Sequence, residues 1–136
     1  MKATKALTFL FAALLSASAC NYDNPDPEIL SDSVPKMVID GRTIMEYRES
    51  SCQLGADPEG RIYFVCTDSM SDFFHVTLER RPCTPGEEIT ATSVRWTTPD
   101  DNIEKNNVVF KLIQLENDTI WLWSPKLRMA LVLRSL

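Results

Sequence analysis

At the end of the chain Leu127, Met129, Leu131 and Leu133 alternate with Arg128, Ala130, Val132 and Arg134. A repeat of two is the side-chain period of a β-strand, because successive Cβ atoms point to opposite faces. The same rhythm recurs upstream. Phe74, Val76 and Leu78 alternate with His75, Thr77 and Glu79, which predicts one buried and one wet face. Ile62, Phe64 and Cys66 alternate with Tyr63 and Val65, apolar on both sides, as a central strand is. No stretch of ten residues carries a convincing helical period. The chain is therefore expected to be all-β.

Turn residues set the connections. Asp40-Gly41 separates Met37-Val38-Ile39 from Arg42-Thr43-Ile44, and both positions of such a two-residue turn need positive φ. The second of these strands is expected to run on through Met45 and Tyr47 towards Cys52. Gly55 to Gly60 and Pro85-Gly86 are further turn signals. Ile89 to Trp96 is β-rich, with Thr90, Thr92, Val94 and Trp96 assigned to one side. Pro99 to Asn107 is polar and holds at most one helical turn. Val108 to Leu115 and Thr119 to Trp123 flank Glu116-Asn117-Asp118. A two-residue turn at Asn117-Asp118 sets Leu115 opposite Ile120, Ile113 opposite Leu122 and Leu112 opposite Trp123. About seven to eight strands joined by tight turns make an antiparallel meander. It must close as a small lipocalin-like barrel or fold over as a β-sandwich, and the barrel is the preferred reading.

The N-terminus is an address. Lys2 and Lys5 precede an apolar run from Leu7 to Leu15, and Ser16-Ala17-Ser18-Ala19 supplies small residues before Cys20. That order is a secretory signal. The run is shorter than the 20 or so apolar residues that span a bilayer, so it is expected to be removed. Residues 1–19 are read as signal peptide, 20–36 as a flexible tether rich in proline and acid, and 37–136 as one β domain. Cleavage takes away two lysines and no acid, moving the net charge from −5 to −7.

Composition excludes several functions. A pI near 4.8 repels nucleic-acid phosphates. One histidine and no Cys-x-x-Cys give no zinc site, and four glycines give no phosphate-cradling loop. No metal and no cofactor is expected. His75 lacks a triad-like neighbour in sequence and reads as a solvated strand histidine. Asp100-Asp101-Asn102-Ile103-Glu104 is oxygen-rich but lacks the spacing of a calcium loop. Glu46 with Glu49, or Glu87 with Glu88, would be acid pairs for glycoside hydrolysis; adjacent strand residues face opposite ways, which disfavours the second pair. No catalytic residue is assigned.

Other residues carry weaker signals. If Cys20, at the start of the mature chain, is set aside as a modified residue, Cys52, Cys66 and Cys83 leave room for one disulfide. Cys52–Cys66, flanking a hairpin turn, is preferred over Cys66–Cys83, and three buried free thiols are the third option. Trp121 and Trp123 are two apart and share a strand face, to which Phe110 and Leu112 are also assigned. Exposed, that face is a binding platform; turned inward, it is core, the favoured assignment. Asp32-Ser33-Val34, Asp68-Ser69-Met70 and Asp118-Thr119-Ile120 match an Asp–hydroxyl–apolar pattern for O-glycosylation at Ser33, Ser69 and Thr119.

Cys20 after small residues resembles a bacterial lipobox, with Ala17 where the usual motif has leucine, and Asn21 to Glu28 resembles a lipoprotein tether. With Ile39-Asp40-Gly41-Arg42 opening the domain and Trp121-Leu122-Trp123-Ser124 near its end, the chain resembles the small β-rich surface lipoproteins of Bacteroides-type bacteria. The resemblance implies an acyl anchor on Cys20 in the outer membrane, exposed to the surface; a periplasmic or secreted protein is the alternative. The expected role is a non-enzymatic binding module for a glycan or a protein. Alternatives are a barrel carrying a small apolar ligand, and a surface-presented protease inhibitor using the stretch Arg80 to Gly86.

Overall fold

The computed structural model describes residues 27–48, 51–67 and 72–136. After a 3-10 turn at Pro27–Leu30 the described residues form nine strands: β1 (Lys36–Ile39), β2 (Arg42–Glu46), β3 (Ser51–Ala56), β4 (Ile62–Thr67), β5 (Phe73–Leu78), β6 (Glu88–Thr97), β7 (Asn102–Glu116), β8 (Thr119–Ser124) and β9 (Met129–Arg134). All pair antiparallel in one sheet, in the order β2-β1-β9-β8-β7-β6-β5-β4-β3. Seven strands, β3 to β9, form an uninterrupted meander. The β1–β2 hairpin docks beside β9, Lys36 to Ile39 opposite Val132 to Met129. Asp40 and Gly41 take φ of 53° and 78°, the left-handed pair that its two-residue turn requires.

The strand order has a geometric consequence. β2 and β3 are the two edges of the sheet, yet only residues 47–50 join them. Laid flat, nine strands put their edges about 38 Å apart. The linking chain reaches at most about 18 Å. The sheet must therefore curl, and it does so into a half-barrel. The C-terminal tail helps to bring the edges round: Leu136 N donates to Cys52 O at 2.9 Å, and Leu54 N donates to Ser135 Oγ at 2.9 Å. A strand running unbroken from Arg42 to Cys52 is thus corrected to two strands on opposite edges. One curled sheet, rather than two packed sheets, also removes the sandwich alternative.

Every strand turns apolar side chains into the concave side. Met37, Met45, Cys52, Phe64, Phe74, Val76, Phe110, Leu112, Leu122 and Leu131 are all buried in one cluster. Phe74 stacks parallel to Tyr47 at 6.4 Å and meets Phe64 edge-on at 5.8 Å. Cys52 and Cys66 are directly opposite across the β3–β4 ladder and form a disulfide inside this cluster.

Two bulges change what alternation alone predicts. Between β5 and β6 the register shifts at Thr92, so Ile89, Ala91, Val94 and Trp96 face the core, and Thr90 and Thr92 do not share a side with Val94. Between β7 and β8 the Asn117-Asp118 turn does place Leu115 opposite Ile120. The bulge at Ile113 then sets Leu112, not Ile113, opposite Leu122, and Lys111 opposite Trp123. An extra residue reverses every face beyond it. Phe110 and Leu112 consequently face the core, away from the tryptophans. The polar stretch 99–107 is also not helical: from Asn102 it is already β7, a largely exposed arm of the β6–β7 hairpin.

Candidate binding surface

Trp121 and Trp123 lie on the convex side of β8, in a second apolar cluster with Val38, Ala130, Val132 and Ile29. Both rings are buried, at 3% and 5% exposure. The cover is the segment Ile29 to Pro35. Ile29 packs on the cluster, Trp121 Nε1 donates to the Asp32 carbonyl at 3.2 Å, and Arg134 Nη1 donates to Ser33 Oγ at 2.5 Å. Lys36, nearly buried, donates to Asp32 Oδ1 at 2.8 Å and fixes the segment's other end. The tether expected over 20–36 is corrected for its second half: from Ile29 to Lys36 it is held against the sheet. A charge at Ile29 is expected to lift this cover. Ile29→Asp should shift tryptophan emission to longer wavelength; unchanged emission would mean that other atoms bury the rings.

The remaining sequence candidates are scattered. Cys20, Glu49 and Ser69 lie outside the described residues. Thr119 is buried at 1% exposure with its hydroxyl bonded to Asp118 Oδ1 at 2.9 Å, out of a transferase's reach in the folded chain. The Ser33 hydroxyl is engaged by Arg134. Glu46 bonds Arg48. Asp100 and Asp101 form the β6–β7 turn, and among the described residues no group of three His, Cys, Asp or Glu is placed to hold a metal.

A different surface carries the aromatic character. On the convex side of β3, β4, β5 and β6, ladder partners line up as Gln53, Val65, His75 and Arg95. Beside this row stand Tyr63, opposite both Gly55 and Thr77, and Phe73. Tyr63, Val65, Phe73 and His75 are all half-buried. Gly55 explains the lie of the tyrosine: a Cβ there would come within 2.6 Å of the Tyr63 hydroxyl, so only glycine lets the ring settle across β3. Phe73 and His75 stack parallel, 6.0 Å between centroids and 8° between planes. His75 Nε2 is 3.3 Å from Thr77 Oγ1, whereas its buried Nδ1 has no hydrogen-bond partner among the described residues. Tyr63 and Phe73 thus stand on either side of the row, Phe73 stacked on its His75, and the row ends on the exposed Arg95. Sequence alternation puts these residues on one face of their own strands. Their assembly needs the β3–β6 register, which no local pattern states.

Burial of His75 and the neighbouring Arg95 guanidinium lower its pKa from the ordinary 6.5. The imidazole is neutral at pH 7. In the unfolded chain it accepts a proton more readily, so the His75 contribution to stability is fully present above about pH 6.5 and is lost as the pH falls below it. His75→Gln should flatten that decline in denaturation midpoints measured at pH 7 and pH 5; parallel behaviour of both proteins would contradict the assignment.

The Arg80 to Gly86 loop has its own scaffold. The Glu87 carboxylate accepts from the backbone N–H groups of Thr84 at 2.5 Å and Cys83 at 2.7 Å, and from Arg80 Nη1 at 2.6 Å. These bonds lower the Glu87 pKa to about 2, with the backbone donors contributing most. Arg80 Nη2 also donates to the Glu88 carbonyl at 3.0 Å. Cys83 is exposed, with a free thiol.

No protein-family model, no curated protein and no solved structure matches the chain.

Proposed function

We propose that this chain is a non-enzymatic, lipid-anchored protein of the cell envelope, acylated at Cys20 and exposed at the outer-membrane surface, whose β module binds a glycan. The observation that carries the reading is the convex aromatic face of Tyr63, Val65, Phe73 and His75. Flat rings with an apolar body and a polar edge suit the C–H face of a sugar, and the adjoining Gln53, Thr77 and Arg95 offer donors and acceptors to its hydroxyls. The face is shallow, which fits a polymer better than an enclosed small molecule. The carrier alternative has less support, because the concave side is filled by its own buried side chains.

The test is a glycan array probed with the protein and with Phe73→Ala and Tyr63→Ala. Binding by the parent that both substitutions weaken is the expected outcome. A blank array, or binding that survives both, would defeat the reading. A protein partner captured in their place, sensitive to the same substitutions, would keep the face and change its occupant.

The second reading, a surface-presented protease inhibitor, rests on the Glu87-braced loop. A loop held in one shape by its neighbours loses little entropy on binding an enzyme cleft. Lack of inhibition across a panel of serine and cysteine proteases would eliminate it.

A further inference from the structure

β7 is fifteen residues long, but β8 pairs only with its last six, Lys111 to Glu116. From Asn102 to Phe110 the edge away from β6 has no strand partner among the described residues. Such an edge is a template for another strand. The left-handed Asn107, φ 56°, sets off the outer part of the arm, residues 102–106, from the body of the sheet. A cavity of about 500 Å³ opens along this stretch, between residues 102–105 on one side and Ile39, Leu127 and Met129 on the other.

We infer that the arm pairs with the same arm of a second copy. In an antiparallel two-fold pairing, one residue faces itself and those at equal distances on either side face each other. Centred on Glu104 or on Lys105, the register sets like charges against each other. Centred further along, it crosses the left-handed Asn107. Centred on Ile103, it places Asp101 opposite Lys105 twice over, on the same face as the paired isoleucines. Opposite charges directly across an antiparallel ladder are favourable. Neither side chain has an ion pair among the described residues of its own chain. Trp96 lies opposite Ile103 in β6, so the register also continues an apolar row, Trp96–Ile103, from one copy into the next. This pairing does not depend on the aromatic face.

The test is analytical ultracentrifugation of the chain carrying Cys20→Ser, so that acyl chains cannot drive association. Dimer at micromolar concentration is expected. Lys105→Asp should weaken it by roughly tenfold or more, since two repulsive pairs replace two attractive ones. Asp101→Lys should do the same. An equimolar mixture of the two variants should restore association as a heterodimer, because both cross-strand pairs then join a carboxylate to an ammonium again. Circular dichroism confirms that each variant folds. A parent that stays monomeric to about 1 mM, a Lys105→Asp protein that dimerises like the parent, or a mixture that stays monomeric would each overturn the inference.

Discussion

Phe74→Ala is expected to destabilise the module by about 3–5 kcal/mol, a large share of the roughly 5–15 kcal/mol that holds a domain together. The side chain has no exposed surface. It stands on β5, an interior strand third from the β3 edge, opposite Cys66 on one side and Trp96 on the other, and touches the rings of both Tyr47 and Phe64. Tyr47 comes from the short link between the two edge strands, so the phenylalanine also ties that link to the core. Truncation removes its own burial and leaves a void whose walls, strands hydrogen-bonded on both sides, collapse poorly. Urea denaturation followed by far-ultraviolet circular dichroism measures the loss. A change below about 1 kcal/mol would mean that the interior is packed differently.

Breaking the Cys52–Cys66 disulfide is the second large effect. The two residues are 14 apart in sequence and directly opposite in the ladder. Cross-links around loops of this size restrict the unfolded chain enough to contribute about 3 kcal/mol. Both cysteines are buried, so the fitting replacement is Cys52→Ala with Cys66→Ala; serine would bury hydroxyls in an apolar cluster. The double variant should melt at lower temperature than the parent, and reductant should lower the parent's melting point while leaving the variant's unchanged. Equal melting points for parent and variant would show that the bridge does not contribute.

Much of the architecture is legible because period-two alternation and turn chemistry are local. Asp40-Gly41 and Asn117-Asp118 turn where their residue types demand it. β4, β5 and β9 alternate as written. What is not legible depends on distant parts of the chain. Alternation assumes an unbroken strand, and the extra residues at Thr92 and Ile113 break it without any glycine or proline to mark them. β8 is buried throughout, so its two faces look alike in sequence. Spacing alone puts Trp121 and Trp123 on one face, but their cover, Ile29 to Pro35, has the composition of a linker, and its contacts with the sheet come from residues some ninety positions away. The early part of β7 is largely exposed, with Ile103 alone half-buried from Asn102 to Asn107, and so carries no burial period. The aromatic surface joins residues from three consecutive hairpins, and only the register between them shows it.

The first strand of the module, β1, is zipped to the last, β9. A polypeptide that emerges N-terminus first, from a ribosome or a translocation channel, cannot complete this sheet until β9 has followed β1 out, almost a hundred residues later.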